Sequence, residues 1–176
     1  MKASLFIISL LLIGQNLFSQ NSLVSGGNVF EGEPYLLVNP QNQQHLVAAW
    51  MGFQLNQKIS IKTSVSLDGG INWSVPTAQS HEVANNSSAD VSLSFNSSGV
   101  VFMCYIDYDN DLFTNGKIVV RKSINGGLNW SNSTEVINIT DCPNQLCVDR
   151  PWMVIDRSGG IHDGTIYVCS MNADQP

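Results

Sequence analysis

Hydrophobic positions in this chain alternate with polar ones in short runs, and the runs come in the same order twice, with the start of a third. Glu33-Pro34-Tyr35-Leu36-Leu37-Val38-Asn39-Pro40 is an alternating stretch closed by Asn-Pro, and His45 to Met51 is an apolar stretch too short for a helix. Ile59 to Val65 and Ile71 to Val75 complete a first set of four predicted strands. The second set repeats the order: Val91 to Phe95, Val100 to Ile106, Ile118 to Arg121, and Leu128 to Ser131 leading into a fourth. Glu33 and Asp90 open these two sets 57 residues apart. Asp149 opens a third set 59 residues further on, with strands predicted over Arg150 to Ile155 and Thr165 to Ser170 around a Ser-Gly-Gly turn. Superposed on those acidic residues, the sets stack Leu36, Leu93 and Trp152, then Val38, Phe95 and Val154. Each first strand thereby gains an apolar face of period two, and the fold class expected is all-β.

Between the third and fourth strands of each complete set lies the same octapeptide. Ser66-Leu67-Asp68-Gly69-Gly70-Ile71-Asn72-Trp73 returns as Ser123-Ile124-Asn125-Gly126-Gly127-Leu128-Asn129-Trp130. The pattern predicts a tight hairpin turn: glycine takes positive φ without a Cβ penalty, and the Asp or Asn side chain accepts backbone N–H bonds. The tryptophans are expected to fold back as apolar plugs. Four short antiparallel strands per repeat, at a period of this length, is the pattern of a propeller blade.

Ser-x-Asp-x-Gly-x-x-Trp resembles the Asp-box, or bacterial neuraminidase repeat, of the sialidase-like β-propellers. The first copy fits in full (Ser66, Asp68, Gly70, Trp73), and the second (Ser123, Asn125, Gly127, Trp130) has Asn where the family has Asp. The resemblance implies a ring of six blades, of which this sequence would be an N-terminal fragment of about two and a half. Residues 21–32 then form a leader or leading strand, 33–89 and 90–148 two blades, and 149–176 the first half of a third. It also implies that the octapeptides are structural and lie on the face away from the substrate pocket.

Composition fits one folded body: 176 residues, 43% hydrophobic and 12% charged. The net charge of −6 leaves no basic stripe to displace counterions from phosphates, so nucleic-acid binding is not expected. Residues 1–20 read as a secretory signal peptide, with Lys2, an apolar run from Leu5 to Ile13, and Ser19 near the cleavage point. The apolar run falls short of the roughly 20 residues of a spanning helix, so no membrane span remains after cleavage. A secreted, periplasmic or extracellular location follows, and four cysteines suit it. Cys142 and Cys147 are expected to pair, and Cys104 and Cys169 to be buried free thiols.

Candidate chemistry falls on loops of the opposite face, about residues 52–58, 74–89, 107–116 and 131–149. Glu33, Asp90 and Asp149 are expected to ring the mouth of a central channel, either contacting a sugar or a cation or accepting hydrogen bonds from backbone between blades. Arg150 offers a bidentate partner for a carboxylate, or pairs with Asp149. Asp107, Asp109 and Asp111 resemble the opening of a calcium loop, but Leu112 stands where glycine is required and no bidentate Glu follows. A solvated hairpin loop is the reading preferred there, and no cofactor is expected. Nucleophile-elbow, zinc-protease and phosphate-loop motifs are absent. Sialidases use a Tyr–Glu nucleophile pair, an Asp acid/base and three arginines; the position resembling the first arginine motif reads Gly32-Glu33-Pro34-Tyr35. Two functions therefore stay open: a sialidase-like glycoside hydrolase, or a non-catalytic propeller binding an extracellular glycan or glycoprotein.

Overall fold

The computed structural model describes residues 21–26, 30–55, 57–109, 115–142 and 147–171. They form three antiparallel sheets and no α-helix. The first sheet is β1 (Phe30–Asn39), β2 (Asn42–Phe53), β3 (Ser60–Ser66) and β4 (Thr77–Ala78), hydrogen-bonded in chain order. The second is β5 (Ser87–Phe95), β6 (Val101–Tyr108), β7 (Gly116–Ser123) and β8 (Thr134–Asn138), also in chain order. The third contains β9 (Asp149–Ile155) and β10 (Ile166–Met171). This is the arrangement of a partial β-propeller, with β1, β5 and β9 side by side at the centre.

The sheets face one another across two cores. Val47, Ala49, Ile61 and Val65 of the first pack against Val91, Leu93, Phe95, Met103 and Tyr105 of the second. On its other face the second sheet packs Cys104, Ile106, Ile118 and Val120 against Met153, with Ile166 and Val168 at the edge. Along β6 successive residues thus alternate between the two interfaces, Met103 and Tyr105 on one and Cys104 and Ile106 on the other, as the period of two requires.

Two strand-level expectations are corrected, the strand at Ile71 to Val75 and the frame of the third sheet. Ile71 to Val75 is not a strand: it is the exposed tail of the turn, and the outer strand comes later as the two-residue β4. Of the segment 21–32, read as a leader or leading strand, residues 21–26 carry no strand and Phe30 to Gly32 belong to β1. His45, at the start of the second predicted run, lies within β2 and is buried. In the third sheet the frame is one residue later than the carboxylate alignment gives. Met153 and Ile155 are buried, whereas Trp152 is 59% exposed and Val154 54%. Met153 and Ile155 are therefore the counterparts of Leu93 and Phe95.

The two octapeptide turns share three internal bonds. Ser66 Oγ donates to Asp68 Oδ1 (2.8 Å) and accepts from the Gly70 N–H (2.8 Å), while Asp68 Oδ1 accepts from the Asn72 N–H (2.8 Å). Ser123, Gly127, Asn125 and Asn129 repeat all three bonds at 2.8, 2.8 and 2.9 Å. Asn125 keeps these three bonds because they need one side-chain oxygen that Asp and Asn both possess, whereas Asp68 adds a second oxygen that accepts from Asn72 Nδ2 at 2.7 Å. The glycines are required: Gly126 and Gly127 have φ of 75° and 94°. A Cβ on Gly126 would lie 2.7 Å from the His45 ring, and one on Gly127 would lie 3.1 Å from Val47 and Val65.

These turns also join neighbouring sheets. His45 bonds the Gly126 carbonyl through Nε2 (2.8 Å) and Asn39 Nδ2 through Nδ1 (2.9 Å), a pairing satisfied by the neutral ring protonated on Nε2. The Trp130 indole N–H donates to Thr63 Oγ1 across the interface (3.3 Å). Trp73 instead donates to Gly70 O (3.1 Å) and to Ser22 Oγ (3.2 Å) of the segment before β1. The hairpin turns after β1, β5 and β9 are linked in series, Gln41 Nε2 to Ser97 O and Ser97 Oγ to Asp163 Oδ2, each at 2.8 Å.

Candidate functional site

Within each central strand one residue that is not glycine takes a left-handed backbone: Glu33 (φ 52°), Asp90 (φ 55°) and Arg150 (φ 43°). In β1 and β5 this residue sits at a bulge, between Gly32 and Tyr35 and between Ala89 and Ser92. Such a conformation costs of order 1–3 kcal/mol for a residue with a Cβ. A bulge re-aims side chains, and here the three residues meet where the central strands converge. Glu33, Asp90 and Arg150 line one pocket of about 400 Å³ with Pro34, Tyr35, Val91, Pro151 and Trp152. The third left-handed residue is Arg150 and not Asp149, the same one-residue difference of frame found in the core.

Electrostatics inside the pocket is dominated by crowded carboxyls. Burial raises the Asp90 pKa above the ordinary carboxylate value, and a hydrogen bond and like charge from Glu33 raise it further. The Arg150 N–H, donating to Asp90 Oδ2 at 3.3 Å, works in the opposite direction. Asp149 is raised too, by burial and then by the charge of Asp90, with Arg150 in partial compensation. Asp90 thus accepts a backbone bond from the neighbouring strand and also stands in a pocket beside a second carboxyl.

Two aromatic rings complete the site. Tyr35 and Trp152 meet edge to face with centroids 5.5 Å apart, so residues from the first and third sheets close over the second. The sequence reading favours packing for Trp152; it does pack against Tyr35, and it is also 59% exposed along the wall of this pocket. The signal was present in the left-handed residues, which no periodicity argument detects.

Asp107 has a different role from the loop carboxylate expected of it. It is the penultimate residue of β6, fully buried, and both oxygens are bonded within the protein. Asn86 Nδ2 donates to Oδ1 at 2.6 Å, and Ser88 Oγ and the Glu82 N–H donate to Oδ2 at 2.9 and 3.2 Å. His81 Nδ1 lies 3.5 Å from Oδ2. Burial acts to raise the Asp107 pKa, but these hydrogen bonds outweigh it and the net shift is downward. Asp109 Oδ1 accepts from the Asn115 N–H at 3.3 Å, and Asp111 lies outside the described residues. Among the described residues no three His, Cys, Asp or Glu side chains converge in a way that could hold a metal ion.

The linker between the first two sheets is pinned by a second buried group. Arg121 donates from Nε to the Tyr105 hydroxyl (2.7 Å) and from Nη2 to Ser80 O (2.9 Å), and its Nη2 pairs with Glu82 at 3.2 Å. Glu82 also bonds Ser133 Oγ. Burial pushes the Tyr105 hydroxyl up to about 12, with Arg121 opposing. Cys142 and Cys147 form a disulfide. Cys104 is buried, its thiol pushed up to about 12 by desolvation, whereas Cys169 is exposed and not buried as expected. The candidate signal peptide, residues 1–20, lies outside the described residues. No helix among those residues is long and apolar enough to cross a membrane.

No family model and no curated protein matches the chain. Solved structures do, among them the Hadza microbial sialidase Hz136, with a TM-score of 0.53 and 17% identity over 72% of this chain. The match spans 30% of that protein's length, and at this identity it establishes a sialidase-like fold.

Proposed function

We propose that this chain belongs to an exported sialidase-like propeller that recognises extracellular glycans where its central strands converge. The observation that carries the reading is the pocket of Glu33, Asp90, Arg150, Tyr35 and Trp152. It combines aromatic faces for a pyranose ring with carboxyls and a guanidinium for its hydroxyls, the composition expected of a small-molecule site. The match to a protein named as a sialidase supports a glycan as the ligand class. The apolar leader-like residues 1–20 and the Cys142–Cys147 disulfide support export. On this reading the two octapeptides are Asp-boxes, structural rather than catalytic, because their polar atoms are consumed in closing their own turns.

Hydrolysis is a second reading, favoured by the contact between Glu33 and Asp90. Two carboxyls that crowd each other divide readily into one proton donor and one base. The test is a glycan array probed with the labelled protein, beside release of a fluorogenic leaving group from a sialoside. Binding on the array without turnover assigns recognition alone, and turnover abolished by Asp90→Asn assigns hydrolysis. No binding to any arrayed glycan removes both.

A further inference from the structure

The pocket's walls and its charge together specify which kind of sugar it suits. Its lining is mainly apolar, formed by Pro34, Val91, Pro151 and the edge-to-face pair of Tyr35 and Trp152. Aromatic faces carry negative potential and attract cations as well as sugar C–H groups. The formal charges at and beside the pocket are three carboxyls, Glu33, Asp90 and Asp149, against the single guanidinium of Arg150. An anionic sugar entering here would meet the Glu33 and Asp90 carboxyls in the lining, with Asp149 behind Asp90. A cation would relieve the repulsion that the carboxyls already exert on one another.

Resting on the glycan reading above, we propose that this pocket selects a sugar carrying a free primary ammonium group, an unacetylated amino sugar, over its N-acetylated or carboxylated counterparts. The ammonium would lie between the Asp90 and Glu33 carboxyls, with the ring against Trp152. N-acetylation removes the charge and adds bulk at the same atom. A sialic acid instead presents a carboxylate to carboxylates.

The direct test is calorimetric titration of the full chain with three probes: a glucosamine tetramer, its fully N-acetylated equivalent, and sialyllactose. The buffer is mildly acidic, so that the amines are charged. The free tetramer should bind roughly tenfold more tightly than the acetylated one, the scale of a desolvated cation–aromatic contact reinforced by carboxylates. Asp90→Asn should erase that preference without removing binding, and asparagine suits the site because it tolerates the left-handed backbone held there. Trp152→Ala, an exposed position whose loss leaves the core intact, should weaken both chitosan-type and chitin-type ligands. Equal or tighter binding of the acetylated tetramer or sialyllactose overturns the ammonium proposal and leaves the glycan reading standing. A preference that survives Asp90→Asn overturns it as well. Silence toward all three probes, with Trp152→Ala and the parent chain both folded, removes the glycan reading and this proposal with it.

Discussion

A single buried carboxylate, Asp107, shows how far a residue's role can depart from its local sequence. Asp-Tyr-Asp-Asn-Asp resembles a solvated loop, but the first member has no solvent exposure and three close hydrogen-bond donors. Asp107→Ala leaves those donors facing a void and is expected to cost about 3 kcal/mol, read from urea unfolding. Because its folded pKa is lowered, this contribution is present above the ordinary carboxylate value. It is lost as the pH falls through the lowered folded value. The donors come from residues 81–88, well before Asp107 in the chain, which is why no local pattern revealed it. Glycine offers a paired test at the same scale. Gly127→Ala combines a left-handed φ of 94° with contacts of 3.1 Å to Val47 and Val65, whereas Gly159→Ala has φ of 69° and open space around it. The second should cost about 1–2 kcal/mol for the backbone alone and the first distinctly more, as paired thermal melts will show.

At the level of elements, the alternating runs located the three central strands and the pairs beside them, because a two-sided sheet imposes a period of two that survives in the sequence. The outer strands were less legible. β4 is two residues long, and β8, into which Leu128 to Ser131 leads, begins only at Thr134. Edge segments pack on one side at most and leave a faint signature. The site was legible only in part: Glu33, Asp90 and Arg150 were named, but their convergence with Tyr35 and Trp152 depends on bulges that residue type does not encode. The joints between sheets can be tested directly. Trp130→Phe removes the indole bond to Thr63 and should cost about 1 kcal/mol, and a double-mutant cycle with Thr63→Val should return most of that as coupling. Cys142 and Cys147, five positions apart after a short 3-10 turn (Ile139–Asp141), close a small ring. The double serine variant should be roughly 2 kcal/mol less stable on the chain-entropy account, measured by denaturant titration under oxidising conditions.

Across the whole molecule, acid acts on two buried regions with opposite sign. Asp107 loses its contribution as described, whereas Asp90 and Asp149 have raised pKa values and oppose folding once ionised. That penalty is fully present above their folded pKa values and is relieved as the pH falls through them. Their charged and titratable surroundings are Glu33, Arg150 and, across from Asp90, Tyr108. Asp90→Asn is therefore expected to raise stability at neutral pH and to flatten its dependence through the range above the usual carboxylate value, tracked by melting temperature against pH. A gain in stability together with a loss of ligand discrimination is the usual signature of a site held against its own folding preference.

The left-handed residue in each central strand has a further consequence. The spacing from Glu33 to Asp90 is 57 residues and from Asp90 to Arg150 is 60, yet the inward set (Leu93 and Phe95, Met153 and Ile155) keeps its distance from that residue in both strands. Each kink resets the phase, so connecting segments between sheets can gain or lose an odd number of residues without turning a strand inside out. Consensus sheets designed from this repeat should be aligned on that kink and not on a fixed count. Otherwise Trp152 and Val154 are written into the face that Met153 and Ile155 occupy.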